Sequence, residues 1–371
     1  MASIFQYVAI FSIIFCIAKE VKNCVPSDSK NSQTDAKTIV DSNFDHEIVA
    51  KILPFRTQEE CDSINKAVGS INGGKPLVDP KYVPLQSSNP YDDLIFALVN
   101  DSMTVFSMYI GEYLARRDET FIIMVFIQVD AKTTFKDIHD KQHYYTFDDI
   151  CSTNRAPFKN ALRVWAQRED TPESTINICC TNGQQLQNER SSWNDKKRDD
   201  LEFVLMKQSY EDSNCSIKCY GTGMPDGPAN LLDDIKNHIK NHDLVDLYTS
   251  LVNYIQNQDQ YLAQKLHDYC DGRDNWAIWI IILSTRRGDP MKSIDTAFQG
   301  LYQNVTLKDY IAKCNIQDPV FKDMLTNLVD PASLQDRQKP PPPPAPEPSF
   351  SHLHGPSADA DQHYTPAHAD D

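Results

Sequence analysis

Positive charge is scarce in this chain. Its 371 residues carry 36 lysines and arginines against 52 aspartates and glutamates, a formal net charge of −16. Nucleic-acid binding depends on Lys and Arg neutralising phosphates, so this balance excludes it as a general property. The densest basic cluster, Lys196-Lys197-Arg198, is flanked by Asp195, Asp199 and Asp200, which cancel most of its field. Long apolar runs are missing as well. A helix that crosses a bilayer needs roughly 20 apolar residues, and no run beyond the N-terminus approaches that length. Stable membrane insertion is therefore not expected once an N-terminal signal has been removed. The usual catalytic motifs are absent too. There is no Gly-x-Ser-x-Gly elbow and no P-loop, and Gly221-Thr-Gly223 is too short for a dinucleotide fingerprint.

What the sequence does contain begins with an address. Ile4 to Ala18 is uncharged and mostly apolar, and Lys19-Glu20 ends it. It has the length and position of a secretory signal, and Cys16-Ile17-Ala18 places small residues where a signal peptidase reads them. Cleavage after Ala18 is the expectation, with an uncleaved signal anchor as the rival. The n-region has no Lys or Arg, which counts against the signal. Export would place the cysteines in an oxidising compartment, where thiols pair. Cys61, Cys151, Cys179, Cys180, Cys215, Cys219, Cys270 and Cys314 are then disulfide candidates, and Cys24 is the odd one out. Three sequons agree with export: Asn100-Asp-Ser102, Asn214-Cys-Ser216 and Asn304-Val-Thr306. Asn304 is the strongest of them, and Asn214 is discounted because Cys215 stands inside its sequon.

The apolar pattern predicts an α/β or α+β fold, with helices packed on a mixed sheet. Asp274-Asn-Trp-Ala-Ile-Trp-Ile-Ile-Ile-Leu283 is rich in β-branched and aromatic residues and bounded by turn residues, so it reads as a strand buried on both faces. Asp118 to Ile127 echoes it and predicts a second strand, Phe121 to Val129. Shorter strands are expected at 174–180, 201–208 and 215–219. Helices are expected after the Thr57-Gln-Glu-Glu60 capping box, after Asn89-Pro90, at 157–167, across 229–270, and at 294–302, 306–314 and 320–328. The echo has two explanations, a duplication into two related halves or the general likeness of apolar strands. The expected organisation is a signal at 1–18, a disordered leader at 19–44, α/β halves or domains at 45–220 and 229–330, and a disordered acidic tail at 331–371. The tail holds five consecutive prolines, Pro340 to Pro344, which favour a stiff polyproline II segment.

One metal candidate stands out. His238 and His242 are four apart in a predicted helix, which would aim both imidazoles from one face, and Asp234 lies one turn earlier. Zinc is the ion such a set would take. The glutamate that metalloprotease helices carry beside the first histidine is absent, since Ile239 stands there, so exposed histidines with no cofactor are the plainer reading. Taken together, the sequence points to a secreted, disulfide-bonded glycoprotein that binds an extracellular protein or small ligand. A secreted metal-dependent hydrolase using His238, His242 and Asp234 is the alternative, and a matrix or coat component using the Pro-rich tail is a third.

Overall fold

The computed structural model describes residues 29–78, 89–102, 176–222, 230–270 and 276–330, together with 104–106, 109, 123, 160, 161 and 164. Every regular element among these residues is a helix; they contain no strand. The expected mixed sheet is thus corrected to an all-α fold.

The helices whose bounds are described fall into three stretches of similar order. The first holds α1 (Ser29–Asp41), α2 (His46–Ala50), α3 (Gln58–Ile71) and α4 (Pro90–Val99). The second holds α5 (Ile176–Glu189), α6 (Asp199–Glu202) continued by a π-helical turn (Phe203–Lys207), α7 (Tyr210–Cys219), α8 (Leu231–His238) and α9 (His242–Gln256). The third holds α10 (Gln258–Asp268), α11 (Trp276–Thr285), α12 (Asp289–Leu301), α13 (Leu307–Lys313) and α14 (Pro319–Val329). In each stretch the first helix packs along the third: α1 on α3, α5 on α7, α10 on α12.

Side-chain caps set where these helices begin. Asp45, Thr57, Asn89, Ser209, Asn230, Asn241, Asn257, Thr306 and Asp318 each accept a hydrogen bond from the first turn of the helix that follows. The capping box at Thr57 is present in both directions. The Glu60 amide donates to Thr57 Oγ1 at 3.2 Å, and the Thr57 amide donates to Glu60 Oε2 at 2.8 Å. Pro90 and Pro319 occupy the first helical position behind Asn89 and Asp318, where the missing N–H costs nothing.

The run expected to be the central strand is helix α11. Trp276 through Ser284 are all buried, with α4, α10 and α14 packed around them. A segment that is apolar on every side carries no period, so alternation cannot separate a sheathed helix from a sheathed strand. Burial decides. The β-branched residues lose at most about 0.7 kcal/mol each in helix propensity, whereas burying each side chain is worth about 1.5–3 kcal/mol. The other strand expectations fall in the same way. Of Phe121–Val129 only Ile123 is described, and it is helical and buried. Residues 176–180 open α5, 201–207 run through α6 and the π turn, and Cys215 to Cys219 close α7.

The leader is corrected in part. Residues 29–41 form α1, whose Ser32, Ala36 and Ile39 lie against the core on one narrow stripe. Arg56 Nε donates to Asp35 Oδ2 at 2.6 Å and ties this helix to the end of the first 3-10 turn, Leu53–Phe55. The signal segment, the Pro-rich tail and the 157–167 helix beyond residues 160, 161 and 164 lie outside the described residues.

The first and third stretches meet. α11 packs on α4, and α14 packs on α2, α4 and the turn at Leu53–Phe55. Arg287, just past α11, bridges this contact. Its Nη1 donates to the Arg56 carbonyl at 3.0 Å, and its Nη2 donates to the Leu98 carbonyl at 2.8 Å and to Gln58 Oε1 at 3.1 Å.

Candidate functional site

The three residues expected to hold zinc do not share a helix. α8 ends at His238 and α9 begins at His242. The break is pinned by Asp195, whose Oδ1 accepts from the Lys240 amide at 2.8 Å and the Asn241 amide at 2.9 Å. Each proposed ligand has its own contact. His238 lies edge-on to Trp193, with ring centroids 6.5 Å apart. His242 is exposed, its Nδ1 lying 2.9 Å from Asp246 Oδ2. Asp234 accepts from the Tyr220 hydroxyl at 2.6 Å and lies 3.6 Å from Arg190 Nη1. Burial, then the Asp234 carboxylate, pushes the Tyr220 hydroxyl well above its ordinary pKa, so it stays a donor. The i to i+4 geometry needed one continuous helix, and the Asn241 cap interrupts it.

The sulfur-bearing residues do converge. Cys179 and Cys180 occupy consecutive positions on α5, and Cys215 and Cys219 lie one turn apart on α7. The pairs Cys179–Cys215 and Cys180–Cys219 are bonded, with Cα–Cα separations of 5.7 and 5.0 Å. One residue makes this approach possible. A Cβ on Gly183 would overlap the Ser216 carbonyl oxygen and sit 3.1 Å from Cys219 Cβ, so only glycine lets α5 and α7 come this close. The Sγ atoms of Cys179, Cys180 and Cys215 all lie within 4.8 Å of one another. Among the described residues this is the one gathering of three or more metal-ligating side chains that tight.

A third bond, Cys270–Cys314, joins the residues just after α10 and α13 with a Cα–Cα separation of 5.6 Å. Six of the eight candidate cysteines are thus paired, and Cys151 lies outside the described residues. Cys61 is corrected: it is a free thiol with no exposed surface. Its Sγ donates to the Leu53 carbonyl at 3.6 Å, and burial pushes the thiol pKa up against the nearby Arg287 charge. It faces the core of the first stretch, where no second cysteine of the described residues reaches it.

The sequons are placed differently from one another. Asn304 is exposed in the turn after α12, with a left-handed φ of 63°. Asn100 ends α4 and donates through Nδ2 to the Phe96 carbonyl at 2.8 Å. Asn214 sits within α7 with its Oδ1 buried, beside the bonded Cys215.

The second stretch also buries charge. Arg198 and Glu202 are each 7 % exposed, and Tyr248 between them is fully buried. Arg198 Nε lies 2.8 Å from Glu202 Oε1 and donates to the Tyr248 hydroxyl at 2.5 Å; that hydroxyl donates to Glu202 Oε1 at 2.7 Å. Arg198 also donates through Nη1 to the Asp195 carbonyl. Burial, then the Glu202 carboxylate, drives the Tyr248 pKa far up. The triad is buried, with its three members bonded to one another and Arg198 tied to the Asp195 carbonyl, which is the pattern of a structural brace.

The sequence named the cysteines but not their map. Spacing of four at Cys215 and Cys219 puts both on one helical face, a signal available only once the segment is read as helix. Gly183 and Arg287 were missed, because nothing local marks a glycine at a helix crossing or an arginine that reaches across 231 residues to the Arg56 carbonyl.

No family profile matches the sequence, and no curated protein matches it either. Solved structures do match the fold. Annexin III aligns with a TM-score of 0.68 at 20% identity, covering 80% of this chain and 93% of that one. Chicken annexin V in complex with zinc aligns with a TM-score of 0.67 at 17% identity, covering 80% and 95%. Calcium-bound annexin (Sm)1 aligns with a TM-score of 0.63 at 15% identity, covering 80% and 90%. The chain therefore has an annexin-like fold, matched over nearly the full length of those proteins.

Proposed function

We propose that this chain is a secreted, disulfide-bonded binding protein that uses an annexin-like fold to take calcium at its helix-joining loops, and a ligand through it. The observation that carries the reading is the fold match itself, which includes a calcium-bound neighbour. The chemistry of the chain agrees. Calcium takes hard oxygen donors, from carboxylates and from loop carbonyls, and the chain has an excess of carboxylates. Several cluster where α2, α4 and α14 begin. Burial raises the Tyr91 hydroxyl pKa, and the charges of Asp92, Asp318 and Asp45 push it further, so all three lie near that ring. Asp45 and Asp318 each engage Oδ1 in a helix cap there. No three carboxylates among the described residues converge within 4.8 Å, so main-chain carbonyls would have to supply much of any coordination. No helix among the described residues is long and apolar enough to cross a membrane.

Calorimetric titration of the full chain with calcium chloride tests this. The expected dissociation constant is on the order of 10⁻⁴–10⁻³ M, the range of extracellular calcium modules. Five millimolar calcium should then stabilise the fold by roughly 1–2 kcal/mol, seen as a rise in Tm. No heat and no Tm change at that concentration would remove calcium from the reading. Export has its own measurement. The product collected from the medium should begin at Lys19, and an intact Met1 on a protein held inside the cell would overturn the secreted part.

A further inference from the structure

Four sulfurs on two helices can do more than form two staples. We propose that Cys179, Cys180, Cys215 and Cys219 form a redox-gated site for a soft divalent metal, zinc being the natural occupant. Oxidised, the four close as two disulfides; reduced, they bind one metal as four thiolates and hold α5 against α7 in the same place.

The geometry supports this over a simple pair of staples. Two independent disulfides have no need to lie beside each other. Here a sulfur of the second bond, that of Cys180, lies within 4.8 Å of both sulfurs of the first. Cys219, its bonded partner, is one turn along α7 from Cys215. A zinc tetrathiolate has Zn–S bonds of about 2.3 Å, which puts its sulfurs roughly 3.8 Å apart. Cys179, Cys180 and Cys215 already lie within 4.8 Å of one another, and Cys219, the bonded partner of Cys180, turns in as the fourth ligand once that bond is reduced. Its positions are also held independently of sulfur. Gly183 seats α5 on the Ser216 backbone, and the α7 N-terminus is fixed by Ser209, whose Oγ accepts from the Asp212 amide at 3.0 Å. Such preorganisation is what a tight metal site needs. Access is open as well: Cys179 is buried, but Cys180, Cys215 and Cys219 are only half-buried. Thiolate sulfur selects zinc over calcium, so this site is chemically separate from the calcium reading and does not rest on it.

The chemistry balances with a low-molecular-weight thiol as reductant. Four equivalents reduce the two protein disulfides to four cysteine thiols and leave as two small-molecule disulfides. Binding one zinc ion then releases four protons and leaves a complex with a net charge of −2. Exchange with two equivalents of a small-molecule disulfide takes up the four electrons, leaves four small-molecule thiolates, frees the zinc ion and re-forms the two staples.

The test uses the full chain and cobalt as the spectroscopic stand-in for zinc. Oxidised protein should give no thiolate–cobalt spectrum. Anaerobic reduction followed by cobalt should give one equivalent with tetrahedral d–d bands and thiolate-to-metal charge transfer, displaced by zinc. The spectrum should be lost in Cys215→Ser/Cys219→Ser and kept in Cys270→Ser/Cys314→Ser. Where a variant fails to fold, alkylation of the reduced wild-type chain decides. Zinc should protect these four cysteines from alkylation and leave Cys270 and Cys314 reactive. A reduced chain that gives no such spectrum, or uniform alkylation with and without zinc, overturns the proposal. So does a spectrum that persists in Cys215→Ser/Cys219→Ser.

Discussion

Glu202→Ala is expected to lower the free energy of unfolding by about 3–5 kcal/mol, the cost of orphaning one member of a buried ion pair. The reason is the state in which it leaves Arg198. That guanidinium is 7 % exposed, and Glu202 Oε1 lies 2.8 Å from its Nε. Burial pulls the Arg198 pKa down, but Tyr248 and Glu202 more than offset this and hold it above the ordinary arginine value. Without the carboxylate the side chain cannot shed its proton at any practical pH, so a desolvated cation is left facing a phenol. Tyr248 loses its acceptor as well. The fully apolar replacement, Arg198→Met with Glu202→Leu, should recover most of the loss, because it removes the charges instead of separating them. Urea denaturation of the wild type, both single variants and the pair measures the coupling directly. A Glu202→Ala cost below about 1 kcal/mol, as for exposed ion pairs, would show that water reaches the site and that the triad is not a brace.

The same triad shows what the sequence withheld. Lys196-Lys197-Arg198 reads as a solvated basic loop cancelled by its aspartates, and for Lys196 and Lys197 that holds, since both are exposed. Arg198 alone turns inward, and its partner Tyr248 is fifty residues away. Local pattern carries no information about such a contact. Where structure is set within one turn, the sequence was legible. The Thr57 capping box, the Asn89-Pro90 start and the stripe Leu244, Leu247, Leu251, Ile255 lie on helices as expected, while of the stripe Leu231, Leu232, Ile235, Ile239 the last residue falls just past the end of α8. It failed at α11, where apolar residues on every side erase the period that separates helix from strand. That misreading supplied the central strand of the expected sheet, and the shorter segments at 174–180, 201–208 and 215–219 were misread beside it. The echo between 118–127 and 274–283 was noticed but was given strands, and Ile123 shows a helical position there too. The cysteines were legible as a set, because their number and the reading of residues 1–18 as an export signal both point to pairing. Their pairing needed the helix crossing at Gly183. The His238–His242 spacing would share one face only on an unbroken helix, and Asn241 caps a new helix between the two.

Arg287→Ala is expected to cost about 2–4 kcal/mol, since charge-assisted bonds to buried carbonyls are worth about 1.5–3 kcal/mol each and are not additive. Its effect should also fall far from residue 287 in sequence. The guanidinium donates to the Ser284 carbonyl at 3.1 Å in its own stretch, and to the Arg56 carbonyl, Gln58 Oε1 and the Leu98 carbonyl in the first. It also contacts the Cys61 Sγ at 3.5 Å. These partners lie where the 3-10 turn, α3 and the end of α4 meet, so a single planar group closes the first stretch onto the third. Gln58 supports it by donating through Nε2 to the Leu98 carbonyl at 3.1 Å and to the Asn100 carbonyl. Removing the fork should therefore speed amide exchange at 53–61 and 96–100 while leaving α5 and α7, held by their own sulfurs, protected. Arg287→Lys should rescue little, because an ammonium cannot serve carbonyls in three directions from a fixed plane. Lys292→Ala is the control. That side chain pairs with the exposed Asp289 at 2.9 Å, and its loss should cost less than about 1 kcal/mol. If Arg287→Lys matched the wild type in urea and exchange stayed unchanged at 53–61, the closure would have to rest on the packing of α11 and α14 against α4, with the arginine only a passenger.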